Sequence, residues 1–119
     1  MMIGIPYLEG KDVNDDGSLA SYVGKGKPVV MMVQGNFCPH CTTAKSGYVQ
    51  FAKSTPSIVA VTIQTDGDDN DKQAVTKLSK VNTSPGVPAF LGFDKSGKFK
   101  SIHNGGRDVS ALQKFASSL

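Results

Sequence analysis

A chain of 119 residues and 12.5 kDa has room for one domain, here residues 1–119, since two independent cores need roughly 200 residues or more. Hydrophobic residues make up 39% and charged residues 19%, both spread along the chain, which excludes a disordered tail and a fibre. The net charge of +3 comes from 13 basic and 10 acidic residues with the lysines scattered, so nucleic acid is not an expected partner.

The N-terminus, Met1 to Pro6, shows no basic start and no long apolar stretch before a small-residue cleavage site, so a cytoplasmic location is expected. Ile3 to Leu8 is expected as an edge strand. Asn14-Asp15-Asp16-Gly17 reads as a turn, after which Ser18 is expected to cap a short helix carrying Leu19, Tyr22 and Val23. Val29 to Val33 is the longest apolar run. It is far short of the roughly 20 residues that span a bilayer, so no membrane partner is expected, and it reads as a buried strand entered through Pro28. A sharp exit at Gln34-Gly35-Asn36 leads to a helix that opens with the cysteines. Cys41, Ala44, Tyr48, Phe51 and Ala52 recur along it at helical spacing until Ser54-Thr55-Pro56.

Ile58 to Ile63 is a second β-branched run. Asp66 to Asp71 has neither the ligand order nor the terminal Glu of a calcium loop and reads as a turn with helix-capping residues. The helix that follows is expected to carry Ala74, Val75, Leu78 and Val81. Beyond a turn at Ser84-Pro85-Gly86, Ala89 to Phe93 and Phe99 to Ile102 flank a short Asp94-Lys95-Ser96-Gly97 loop, the pattern of an antiparallel hairpin. Gly105-Gly106-Arg107-Asp108 introduces a last amphipathic helix with Val109, Leu112, Phe115, Ala116 and Leu119. The expected order is β-α-β-α-β-α-β-β-α, a single α/β domain with a mixed central sheet and helices on both faces.

Chemistry is concentrated in Cys38-Pro39-His40-Cys41, at the junction of a buried strand and a helix. The two cysteines lie too close together to close a stabilising loop. With Cys38 as N-cap and Pro39 as first helical residue, the free N–H groups of the first turn and the positive helix end point at the Cys38 sulfur and favour a thiolate. His40, when protonated, adds a cation in the same turn. Cys41, almost one turn further in, is placed to attack a mixed disulfide formed on Cys38. The competing reading is half of a zinc site. Beyond His40 the chain offers only His103 and carboxylates to complete it, so no metal is expected.

The strand, Cys-x-x-Cys helix, crossover, Val87-Pro88 pair and hairpin resemble, in that order, the thioredoxin family of thiol–disulfide oxidoreductases over nearly the whole chain. The resemblance implies a thioredoxin fold in which Pro88 is cis beside the cysteines and the backbone of Val87 pairs with substrate. It also implies disulfide-containing protein substrates, with a reductase or glutathione as electron donor. Several positions depart from the family pattern. Phe37 replaces the usual Trp and is expected on an exposed apolar rim that contacts substrate. Pro39-His40 replaces Gly-Pro and resembles the strongly oxidising bacterial periplasmic enzyme. The family's buried Asp aligns with Met32 and its Lys partner falls near Thr62, so both charges are gone. Ser46 stands where a kinking proline is common. Val87-Pro88 with Gly105-Gly106-Arg107-Asp108 also resembles the glutathione-holding elements of glutaredoxins, although the two lie further apart here, and Gly105 is expected to help frame the substrate surface.

The expected activity is reduction of protein disulfides, with Cys38 as nucleophile, Cys41 as resolving thiol and Pro39 and His40 tuning the thiolate. Val87, Pro88, Phe37 and Gly105 are the expected substrate contacts. No organic cofactor is required, and a monomer is the default. A disulfide oxidant or isomerase is the alternative within the class, and a redox-inert binding module the alternative outside it.

Overall fold

In the computed structural model, which describes residues 2–84 and 86–119, the apolar run after Pro28 forms β1, Val29–Gln34, with all six residues buried. A strand enclosed on both faces must be central, and β1 is: β2 (Val59–Gln64) runs parallel on one side and β3 (Ala89–Phe93) antiparallel on the other. β4 (Phe99–His103) pairs antiparallel with β3, giving the order β2-β1-β3-β4. The turn between them closes on Gly97, whose φ of +90° suits glycine and whose Cβ, if it had one, would lie 2.7 Å from the Leu19 carbonyl oxygen.

Strand alternation sorts the core into two layers. Val30 and Met32 point, with both cysteines, toward α2 (Pro39–Ser54) and α4 (Val109–Ala116). Val29, Met31 and Val33 point the other way, toward α1 (Ser21–Gly24) and α3 (Asp69–Leu78). Helices therefore cover both faces, and the mixed-sheet α/β fold is as expected from the sequence. Tyr48 ties α2 to the sheet: its hydroxyl lies 2.7 Å from the carbonyl oxygens of both Val30 and Val61. α2 continues through Ser46 without interruption.

Three sequence expectations are corrected. Ile3 to Leu8 is not a strand. It makes one parallel bridge, Tyr7 to Thr62, with the Leu8 N–H on the Thr62 carbonyl at 2.9 Å and the Thr62 N–H on the Pro6 carbonyl at 3.0 Å. Gly4 at φ +79° turns the chain just before this bridge, and Pro6 has no N–H to extend a ladder. The first regular element is instead a 3-10 turn at Gly10–Asp12. Ser18 does not cap a helix, because its hydroxyl donates to Asp16 at 2.6 Å. Leu19 bridges Val13 instead, and α1 starts at Ser21. α3 stops at Leu78, so Val81 packs from the turn that follows. Pro85, within the expected Ser84-Pro85-Gly86 turn, lies outside the described residues.

Candidate active site

β1 delivers the chain to the cysteine loop. At Gly35 a Cβ would lie 2.5 Å from the Phe37 ring and 3.0 Å from the Thr65 hydroxyl, so a larger residue there would push the exposed Phe37 ring aside. The Cys38 N–H closes the turn on the Gly35 carbonyl at 3.3 Å. Asp66, just past β2, holds the loop from the side: its carboxylate accepts the N–H groups of Asn36 at 3.1 Å and Phe37 at 3.2 Å. These bonds, that of Asn36 foremost, keep the Asp66 carboxyl below the usual carboxylate range. The whole Asp66 to Asp71 stretch has the pattern of a turn and helix cap. Asp68 and Asp71 do form a capping box, whereas the role of Asp66 depends on a contact about thirty residues away in sequence and has no local signature.

Cys38 is the N-cap of α2 and Pro39 its first residue. The Cys38 sulfur accepts the Cys41 N–H at 3.1 Å and lies 3.6 Å from the Val87 carbonyl oxygen, to which the thiol donates. The Val87–Pro88 peptide is cis. Cys38 is 5% exposed and Cys41 fully enclosed. Burial, reinforced by the Cys38 sulfur beside it, pushes the Cys41 thiol up to about 11, against the opposing pull of the Gly35 N–H and the Lys45 ammonium.

Under the thiols, Met32 and Thr62 are register partners and both fully buried. The Thr62 hydroxyl donates to the Met32 carbonyl at 2.7 Å. The floor at these two positions is therefore uncharged. Next along β1, Gln34 is also fully enclosed, and neither its amide nitrogen nor its amide oxygen has a hydrogen-bond partner. Its position at the end of an apolar run reads in the sequence as a strand exit, a pattern that gives no sign of this enclosure.

The rim residues separate into two sides. Val87, Pro88, Phe90, His103, Gly105 and Arg107 line an open cleft of about 370 Å³. His103 is packed there, its ring centroid 4.9 Å from that of Phe115 and its Nε2 2.6 Å from the Gly106 oxygen. A Cβ on Gly105 would lie 2.9 Å from that imidazole. His40 is exposed and opens instead on a separate depression shared with Thr43, Gly47 and Arg107. Phe37 is 68% exposed. The structure thus brings Cys38, Pro39, Cys41, Val87 and Pro88 together, with Phe37, His40 and Gly105 around them. A larger cleft, about 430 Å³ between the N-terminal segment and β2, contains neither cysteine. Among the described residues no cluster of three or more His, Cys, Asp or Glu side chains could hold a metal ion, and no helix is long and apolar enough to cross a membrane.

No family model matches the chain. A thioredoxin-like protein of Invertebrate iridescent virus 6, 453L, is 33% identical over 100 residues, covering 73% of this chain and 69% of that protein. Among solved structures, the exposed lipoprotein thioredoxin of Streptococcus pneumoniae strain TIGR4 superposes with a TM-score of 0.68 at 19% identity, over 90% of this chain and 96% of its own. The J-Trx1 fragment of ERdj5 superposes with a TM-score of 0.63 at 21% identity over 82% of this chain, which spans only 45% of that fragment. At these identities the structural matches speak for the fold.

Proposed function

The chain belongs to the thioredoxin-like family of thiol–disulfide oxidoreductases, and we propose that within it this protein reduces disulfides in partner proteins through Cys38 and Cys41. The Cys38 thiolate attacks one sulfur of the substrate disulfide, and the other substrate sulfur leaves with the electron pair and takes up a proton. Cys41, deprotonated, then attacks the Cys38 sulfur, forming the Cys38–Cys41 disulfide and releasing the second substrate thiol. The observation that carries this assignment is the asymmetry of the pair. Cys38 caps α2 and meets a first-turn N–H at 3.1 Å, whereas Cys41 is enclosed and burial holds it as a thiol at neutral pH.

In this reading Pro39 sets the helix start and His40 adds a cation when protonated. Substrate backbone docks against Val87 and Pro88, and Phe37 and Gly105 bound the contact surface. The oxidised site is re-reduced by glutathione or a reductase, in the cytoplasm, by a monomer that needs neither metal nor organic cofactor. The Pro39-His40 pair favours one second reading, a less reducing protein that works as an oxidant or isomerase.

Equilibrating the thiol pair with defined ratios of reduced to oxidised glutathione, and trapping free thiols, separates the two. A potential near about −270 mV supports the reductant, and one near about −200 mV or higher supports coupling to glutathione or oxidising work. Retention of function by a Cys38→Ser, Cys41→Ser variant would overturn both and leave a binding module.

A further inference from the structure

Burying an amide without partners is unfavourable, and an apolar side chain of the same shape would avoid the cost, so the orphaned carboxamide of Gln34 calls for a reason. Its position supplies one. Val30 and Met32 face the layer that contains both cysteines, and Gln34 is the next residue of β1 with that parity. It lies at the end of the strand that feeds α2. The residue after it, Gly35, accepts the Cys38 N–H at 3.3 Å. The floor beside it has no free donor at its paired positions: Met32 has none, and the Thr62 hydroxyl is bound to the Met32 carbonyl.

We propose that Gln34 serves the resolving step, its amide N–H donating a hydrogen bond to the Cys41 sulfur as that sulfur becomes a thiolate. Its amide oxygen accepts from the water that carries the proton away. This rests on the assignment of Cys41 as resolving thiol. The amide neither gains nor loses a proton. Cys41 gives its proton to water, its sulfur bonds to the Cys38 sulfur as the bond from Cys38 to the substrate sulfur breaks, and the leaving sulfur takes a proton from solvent. A hydrogen bond to an anionic sulfur is stronger than one to a neutral thiol, so the donor favours the attacking form over the resting one. That the amide has no partner in the dithiol state fits a donor engaged only as charge develops.

The test is stopped-flow reduction of an aromatic disulfide whose released thiolate is coloured. The first release reports attack by Cys38 and the second reports attack by Cys41. Gln34→Met keeps length and volume but removes both polar atoms. It is expected to leave the first release unchanged, slow the second about tenfold or more, and raise the melting temperature. Gln34→Leu removes the amide with a different side-chain shape and is expected to slow the second release to a similar degree, again without changing the first. An unchanged second release in both variants, or equal slowing of both releases, overturns the proposal. A wild-type protein that releases only one equivalent overturns the resolving role of Cys41 itself, a failure visible before any variant is made.

Discussion

Replacing Met32 with aspartate puts a carboxyl group where no solvent reaches, against a Thr62 whose hydroxyl is already committed. Three costs combine. Losing the buried methionine side chain forfeits about 1.5–3 kcal/mol of apolar burial. A neutral carboxyl without a partner adds about 1–3 kcal/mol. Ionising it there is harder still: a rise of about 3 units in its pKa costs about 4 kcal/mol at neutral pH. The total, about 6–10 kcal/mol, rivals the roughly 5–15 kcal/mol that hold an ordinary domain together. The pH dependence isolates the ionic part. A carboxyl whose folded pKa is raised destabilises only above its unfolded value, so the cost is absent below about pH 4 and grows by about 1.4 kcal/mol per unit until the folded pKa is reached. Met32→Asn carries the other two costs without the third. Urea unfolding of the two variants between about pH 4 and pH 8 should give curves that coincide at the acid end and diverge by about 4 kcal/mol at neutrality. Coincidence throughout would refute the reasoning, because position 32 would then offer the carboxylate water or a partner.

Tyr48→Phe should cost about 1–3 kcal/mol by denaturant titration with the m-value unchanged, since it removes the hydroxyl that meets the Val30 and Val61 carbonyls in the dry layer under α2. Asp66→Asn should loosen the loop before Cys38, read as faster amide exchange at Asn36 and Phe37. Because those N–H groups hold the Asp66 carboxyl below the usual range, its stabilisation is present above about pH 3.9 and fades as the pH falls through its folded pKa. The stability difference between wild type and Asp66→Asn should therefore shrink on acidification, and a difference independent of pH would argue against the contact.

Where physics is local, the sequence was legible. β1 is an apolar β-branched run, α2 announces its start with Cys38 and Pro39 as N-cap and first helical residue, and Asp108 caps α4 two residues after the glycine pair. Ile3, Ile5, Tyr7 and Leu8 have the composition of an edge strand, but a single bridge is all that Gly4 and Pro6 permit. Ser18 looks like an N-cap, but its hydroxyl is taken by Asp16 two residues earlier. The missing parts of the site are of a third kind. Asp66 reaches the cysteine loop across the β1–β2 crossover, and Gln34 stands out only through its full enclosure, which no local pattern encodes. Neither has a periodicity or spacing to betray it.

An uncharged floor also shapes the pH dependence of the second step. With Cys41 pushed up to about 11 by burial, only about one molecule in ten thousand carries that thiolate at neutral pH. A free cysteine near 8.5 would show a few per cent, so enclosure reduces the reactive form by about two to three orders of magnitude. Intrinsic nucleophilicity rises with pKa and returns about a factor of ten. Proximity supplies the rest, since effective molarities of well-oriented intramolecular groups reach about 10⁵ M and above. The pair is oriented for this: the Cys38 sulfur already accepts the Cys41 N–H across a single helical turn. The second thiolate release should therefore climb about tenfold per pH unit from about pH 6 to pH 9 in single-turnover measurements. A flat profile would mean that Cys41 is already ionised in the mixed disulfide, and the enclosure of that sulfur would not be what sets the rate.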